Sequence, residues 1–355
     1  MPNSTSYFSK LLILWYIDHK RELPWRLTKD PYAIWLSEII LQQTKVAQGL
    51  PYYKVFVSTF PTVHDLANAP EEKVLKLWQG LGYYSRARNL HFTSKYISKD
   101  LKGTFPTSFK ELIKLKGVGD YTASAIASIC YHEATAVVDG NVYRVLARFF
   151  GISTPINSTQ GIKEFKSLAQ QLIDPSQPGT YNQAIMEFGA RHCTPKKPDC
   201  TSCIFNDKCV ALQKNTVTVL PVKLQKTVVK KWYFNYFIIQ SDGDTIILQQ
   251  RTKRGIWQQL YEFPLIETDK EIRLDQLQQL EEYKELSKTH SFSSISLYNE
   301  KSIIHKLSHR HLHTRFWLVE TNNNSVMEIP LASITKYPVP TLIENFITSY
   351  FDVKV

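Results

Sequence analysis

The chain has 355 residues and a mass of 41.1 kDa, enough for about two domains at roughly 150 residues each. Its 43% hydrophobic and 21% charged side chains suit a globular protein with a sizeable core and exclude collagen-like, mucin-like and disordered chains. The net charge is +11: residues 1–230 hold 29 basic and 17 acidic side chains, residues 231–355 hold 14 and 15. An excess confined to the first two thirds fits a polyanion-binding domain beside a neutral companion, or a merely solubilising surface.

The apolar run Leu11 to Ile17 is too short to span a bilayer, and no small-residue cleavage site follows it, so neither a membrane span nor a signal peptide is expected. Apolar residues then recur at three- and four-residue steps over Pro31 to Gln43, which predicts a helix. Further helices are expected over Glu71–Gln79, Ala87–Ser98, Ser108–Leu115, Tyr121–Tyr131, Val142–Phe149, Ile162–Ile173 and Tyr181–Arg191. Residues 1–210 therefore read as all-α. Residues 211–230 are polar and rich in Lys, Thr and Val, as in a linker. Beyond them, Trp232–Gln240 and Thr245–Gln249 read as strands parted by a Ser-Asp-Gly-Asp turn, Ser302–Glu320 as strand, and Pro340–Phe351 as a closing helix. The last part, 231–355, is thus α+β.

Four of the five cysteines, Cys193, Cys200, Cys203 and Cys209, fall within seventeen residues in the pattern C-x6-C-x2-C-x5-C. Four thiolates on one short loop can wrap a single tetrahedral site. Zinc ribbons generally use two C-x-x-C knuckles; one short pair flanked by single cysteines favours a [4Fe–4S] cluster over zinc. Cys130, in a stretch of small and apolar residues, reads as a core residue. Upstream, Leu115-Lys116-Gly117-Val118-Gly119-Asp120-Tyr121 lies between two helical stretches. Glycines at i and i+2 permit a positive φ and a close approach, leaving N–H groups at the next helix start for a phosphate. A tight helix–helix turn is the alternative.

These two motifs, in this order, resemble the helix-hairpin-helix DNA glycosylases that carry a [4Fe–4S] loop. Ser37-Glu38-Ile39-Ile40-Leu41-Gln42-Gln43-Thr44, Gly80-Leu81-Gly82-Tyr83-Tyr84-Ser85-Arg86 and Val138-Asp139-Gly140-Asn141-Val142 are similar to the MutY-type adenine DNA glycosylases. The resemblance implies an all-α glycosylase domain followed by a Nudix-like domain. It implies a monofunctional enzyme that flips out adenine paired with 8-oxoguanine or guanine and hydrolyses its N-glycosidic bond. Lyase relatives place a nucleophilic lysine where this chain has Tyr121.

By the same resemblance, Glu38 is the general acid and Asp139 the carboxylate that faces the oxocarbenium ion, with Tyr121 and Asn141 positioning it. Trp25, Arg26, Leu41 and Gln183 line the adenine pocket. Gln43 and Tyr83 wedge the duplex open, and Gly117, Val118 and Gly119 hold a phosphate. One [4Fe–4S] cluster sits on Cys193, Cys200, Cys203 and Cys209. In the second domain Arg254-Gly255-Ile256-Trp257 and Glu262-Phe263-Pro264 are similar to segments of 8-oxo-dGTP hydrolases, but residues 265–285 lack the glutamate-rich metal-binding helix. Nucleotide hydrolysis is therefore not expected, and Leu307, Ser308 and His309 should instead read 8-oxoguanine. Leu307 stands where the family has an aromatic residue. The expected partner is mispaired double-stranded DNA, and the chain is expected to be a cytoplasmic, DNA-associated monomer with no membrane contact.

Overall fold

The computed structural model describes residues 2–224, 229–241, 245–321 and 328–353. Its helices in the first two thirds are α1 (Pro2–His19), α2 (Pro31–Ile40), α3 (Val46–Thr59), α4 (Val63–Asn68), α5 (Glu71–Leu77), α6 (Ser85–Lys99), α7 (Phe109–Leu112), α8 (Asp120–Tyr131), α9 (Gly140–Phe150), α10 (Thr159–Leu172), α11 (Pro178–Arg191) and α12 (Val210–Gln213). Two compact units result: residues 1–68 with 89–225, and residues 69–88 with 226–355.

The first unit is helical, and its helices start where the sequence supplies caps. Asp30 accepts the amides of Tyr32 and Ala33 ahead of Pro31, and Asp139 accepts those of Asn141 and Val142 ahead of α9. Gly151, at φ 69°, ends α9. Phe205, in the cysteine loop, lies 4.9 Å from Phe8 of α1, 4.9 Å from Phe149 of α9 and 5.4 Å from Phe188 of α11, ring centre to ring centre. These four buried rings clamp the loop onto three helices.

The second unit is built on a mixed sheet. Its strands are β1 (Lys230–Ser241), β2 (Thr245–Ile247), β3 (Gln249–Gln250), β4 (Tyr261–Glu262), β5 (Leu265–Thr268), β6 (Phe292–Leu297), β7 (Ile303–Lys306), β8 (Arg310–Thr321) and β9 (Glu328–Pro330). The order is β6-β8-β1-β2-β9, with β1 and β8 parallel from Lys230 opposite Arg310 to Gln240 opposite Glu320. Strand period puts Phe237, Ile239, Trp317 and Val319 on one face, packed with Leu277 of α13 (Leu274–Leu277) and Tyr283 of α14 (Glu281–Thr289). Tyr236 and Phe316 stack on the other, and Phe316 stacks at 4.1 Å on Phe346 of α15 (Thr341–Phe351).

Several expected boundaries move. The helix expected to reach Gln43 ends at Ile40, because Gln43 adopts φ 55°. The helix expected over Ser108–Leu115 shrinks to Phe109–Leu112 as the chain enters the glycine turn. The stretch Ser302–Glu320 is a hairpin, not one strand: the Leu307 amide donates to the Arg310 carbonyl at 2.8 Å, leaving Leu307-Ser308-His309 at the tip. The Asp242–Asp244 part of the expected turn lies outside the described residues.

The division of the chain also differs from 1–210, 211–230 and 231–355. Residues 211–224 are tied to the first unit: Arg148 donates to the Leu220 carbonyl at 3.1 Å and Ile156 to that of Val222 at 3.0 Å. Residues 69–88 join the second unit because their polar side chains meet later backbone. Arg88 donates to the Gln258 carbonyl at 2.8 Å, Lys76 to that of Tyr337 at 3.3 Å, and the Val339 amide to Gln79 at 3.2 Å.

Candidate active site

One cavity in the first unit gathers side chains from five segments: Glu38 from α2, Tyr121 from α8, Asp139 and Asn141 at the start of α9, Gln183 and Met186 from α11, and Trp25 and Arg26 from the turn Pro24–Arg26. Ile34, Leu41 and Ile129 supply apolar wall. Its eight expected members therefore share one pocket.

Glu38 is 7% exposed. Burial pushes its carboxyl up to about 7; the Tyr121 hydroxyl and the Arg26 charge oppose the rise, and the Asp139 carboxylate adds to it. A carboxylic acid with this pKa holds a proton near neutrality and can give it up. The Tyr121 hydroxyl also reaches Met186 Sδ at 3.1 Å, so its single proton serves the sulfur or Glu38 but not both.

Asp139 accepts three hydrogen bonds, from the amides of Asn141 (2.9 Å) and Val142 (2.8 Å) and from Asn141 Nδ2 (2.8 Å). Burial raises its pKa, and those bonds restrain the rise. Asn141 is held in turn by Arg144, which donates to Asn141 Oδ1 at 2.8 Å and to the Cys193 carbonyl at 2.7 Å.

Behind the pocket stands a charged cluster that no motif announces. Glu187, 1% exposed, accepts from Arg21 Nε at 2.7 Å, Arg21 Nη2 at 2.6 Å and Arg26 Nη2 at 2.7 Å. Burial alone would raise its pKa, yet the guanidinium bonds pull it down to about 2. Tyr16 donates to Gln183 Oε1 at 2.5 Å. Arg21, Glu187 and Met186 line the cavity but lie outside every recognised motif. Only the clustering of α11 with the N-terminal segment makes them visible.

The four expected ligand cysteines line a second cavity with Arg148. Arg148 Nη1 points at Cys193 Sγ from 3.4 Å, and the Phe205 amide at Cys203 Sγ from 3.5 Å. Burial pushes the Cys203 thiol up to about 12 and raises those of Cys200 and Cys209, each aided by its cysteine neighbours. Deprotonating Cys200, Cys203 and Cys209 together on this loop therefore calls for a positively charged group among them. Among the described residues no three His, Cys, Asp or Glu side chains stand as a group able to hold one metal ion. Cys130 is only partly buried.

At the glycine turn, Gly117 takes φ 83° and a Cβ there would lie 2.7 Å from Asn89. The Val118 amide is spent on the Leu115 carbonyl at 3.1 Å. Among the described residues the Gly119 and Asp120 amides meet no protein acceptor, and Asp120 pairs with Lys166. Gln43 is exposed. In the second unit Tyr83 (φ 49°) follows Gly82 (φ 74°), and its hydroxyl meets Ser308 Oγ at 2.5 Å. Tyr83, Leu307, Ser308 and His309 line one cavity with Gly255 and Trp257. Of the expected residues, Gln43 and the glycine turn lie outside all three cavities. No helix among the described residues is long and apolar enough to cross a membrane.

Comparison with known proteins gives the family. Residues 36–173 match the model of the HhH-GPD superfamily of base excision DNA repair proteins, and residues 235–349 that of the NUDIX domain. The chain is 34% identical over 311 residues to an adenine DNA glycosylase of Buchnera aphidicola subsp. Schizaphis graminum, covering 86% of this chain and 85% of that one. It is 32% identical to the adenine DNA glycosylase of Buchnera aphidicola subsp. Baizongia pistaciae over 357 residues, 97% of each. Among solved structures it resembles a thermostable thymine-DNA glycosylase, with a TM-score of 0.56 and 28% identity over 60% of this chain and 98% of that one.

Proposed function

The chain belongs to the adenine DNA glycosylases, base-excision repair enzymes, and from that premise we propose that it hydrolyses the N-glycosidic bond of adenine paired with 8-oxoguanine or guanine, by acid-assisted departure of the base. The observation that carries this reading is Glu38: a buried carboxyl raised to about 7 in a pocket it shares with Asp139.

In this mechanism Glu38 gives its proton to N7 of the extruded adenine. The C1′–N9 bond breaks and its electron pair leaves with the base. The positive charge left on C1′ and O4′ faces the Asp139 carboxylate, whose three hydrogen bonds fix its place before the charge develops. Water then adds to C1′ and loses a proton. Trp25, Arg26, Leu41 and Gln183 enclose the base; Tyr121 and Asn141 set the two carboxyls.

The same reading gives Gln43 and Tyr83 the wedge, the Gly117–Gly119 turn a phosphate, and Leu307, Ser308 and His309 the 8-oxoguanine. We read the chain as a monomer, since the eight residues assigned to the adenine pocket all come from one chain. Cys193, Cys200, Cys203 and Cys209, each partly buried, would hold a [4Fe–4S] cluster, which would supply the positive charge that lets four neighbouring thiolates coexist and would tie down the loop. The fit rests on their common cavity and on the N–H groups aimed at two of the sulfurs.

Strand cleavage through a Schiff base is not part of the proposal. Tyr121 stands where the amine would be needed, and among the described residues no lysine lines the pocket. The test is single-turnover release of adenine from duplexes with 8-oxoguanine, guanine, cytosine or thymine opposite. Glu38→Gln should bind these duplexes and lose release by about 10²–10⁴-fold. A Glu38→Gln protein that releases adenine at the unmodified rate would refute the acid role. A chain that releases no adenine from any of the four would refute the substrate.

A further inference from the structure

Tyr16 lies on α1 and is not part of the pocket wall, yet it touches two residues that are. Its hydroxyl donates to Gln183 Oε1 at 2.5 Å, and the Arg26 guanidinium sits over its ring at 5.4 Å from the centroid. Tyr16 is 4% exposed, so water competes for the contact only from the Gln183 side, which faces the cavity. The direction of the hydrogen bond has consequences. A carboxamide carries an acceptor on one arm and two donors on the other, and the two arms can exchange by a half-turn. Two cations border the Tyr16 ring, Arg26 and Lys20 (5.9 Å), which favours the oxygen arm of Gln183 on this side. The nitrogen arm is then turned away from Tyr16, on the side chain that lines the cavity.

Resting on the reading of the pocket as an adenine site, we propose that Tyr16 is a specificity-determining positioning residue: it fixes the Gln183 carboxamide so that its N–H group, not its carbonyl, meets the base. A donor in this place selects a ring nitrogen that carries no proton. Adenine offers such acceptors at N1 and N3 once N7 is taken by Glu38. Without the Tyr16 hydroxyl the amide turns freely, and half of its orientations oppose the base with the wrong arm. The phenol itself never touches the substrate.

The test pairs variants with base analogues. Single-turnover release is measured on duplexes holding adenine, 1-deazaadenine or 3-deazaadenine opposite guanine, for the unmodified chain and for Tyr16→Phe, which keeps the ring beneath Arg26. The unmodified chain should lose release by at least tenfold on one deaza analogue beyond the loss on the other. Tyr16→Phe should slow adenine several-fold and shrink that difference to within about twofold, with the melting temperature changed little. Gln183→Leu should shrink the same difference, which keeps the question answerable should Tyr16→Phe fold poorly. An analogue difference that is the same size in Tyr16→Phe and in the unmodified chain would overturn the proposal while leaving adenine release, and so the glycosylase reading, intact. Absence of adenine release by the unmodified chain would overturn both.

Discussion

At the scale of single residues, two carboxyls of the same pocket are driven in opposite directions, and the difference sorts their roles. Glu38 has little besides Tyr121 and Arg26 to stabilise its charge, so burial wins and its pKa rises to about 7. Glu187 is as deeply buried, but two guanidinium groups outweigh burial and hold it at about 2. Glu38 is thus built to carry a proton and Glu187 to stay an anion that anchors Arg21 and Arg26. The raised pKa makes a stability prediction with a definite sign. The folded state binds the Glu38 proton more tightly than the unfolded chain, whose carboxyl titrates near 4.5. The stabilisation from this linkage is therefore complete below that value and is lost as pH rises through about 7. The loss is on the order of 3 kcal/mol, from the distance between the two pKa values. Glu38→Gln removes the ionisation. In denaturant titrations it should match the unmodified chain near pH 4 and exceed it in stability near pH 8.5, while adenine release by the unmodified chain falls tenfold per pH unit above about 7. A variant no more stable than the unmodified chain at pH 8.5 would show that Glu38 is not desolvated in solution.

At the scale of elements, the start of α9 serves structure and, in the proposed mechanism, chemistry with one side chain. Asp139 caps the helix through two amides and holds Asn141 through a third bond, and it also faces the pocket. Asparagine caps a helix about as well as aspartate. Asp139→Asn should therefore keep the melting temperature, or raise it by relieving a buried charge, and lose at least about 10²-fold in adenine release by removing the anion. A variant that melts many degrees lower would mean that the charge, not the cap, holds α9 in place. Elements of this kind were legible in the sequence because local signals set them: Asp30-Pro31 before α2, Gly119-Asp120 before α8, Asp139-Gly140 before α9. Elements without such signals were not. Helix α3 carries Gly49, Pro51 and a run of aromatic and β-branched residues, so its existence rests on packing against α2 rather than on propensity. The β7–β8 turn contains Leu307-Ser308-His309 with no glycine, proline or asparagine, and its hairpin is closed only by backbone pairing. The Arg21–Glu187–Arg26 cluster joins residues more than 160 positions apart, beyond the reach of any local pattern.

At the scale of the whole molecule, the assignment of residues 69–88 to the second unit changes what removal of that unit should do. Residues 1–225 hold 27 basic and 17 acidic side chains, a balance of +10, so a chain ending near residue 225 should still bind duplex DNA, with steep salt dependence. A simple division of labour would also leave it active on A·G and deprive it only of the proposed preference for 8-oxoguanine. The structure argues against so mild an outcome. Lys76, Gln79, Tyr84 and Arg88 all hydrogen-bond to residues beyond 226, and Tyr83, the expected wedge, meets Ser308. Truncation strips these partners from a segment inside the remaining chain, so it should lower adenine release from A·G as well as from A·8-oxoguanine. Ser308→Ala with His309→Ala, made in the full chain, leaves the backbone partners of residues 69–88 in place. It should cut the preference for 8-oxoguanine by about 5- to 150-fold, the worth of one or two hydrogen bonds of about 1–3 kcal/mol, and leave release from A·G within a few-fold. Comparing the two variants on both mispairs separates the contributions. If the truncated chain kept full A·G activity, residues 69–88 would need none of their second-unit contacts; if the double substitution left the 8-oxoguanine preference whole, the tip of the β7–β8 hairpin would have no part in reading the lesion.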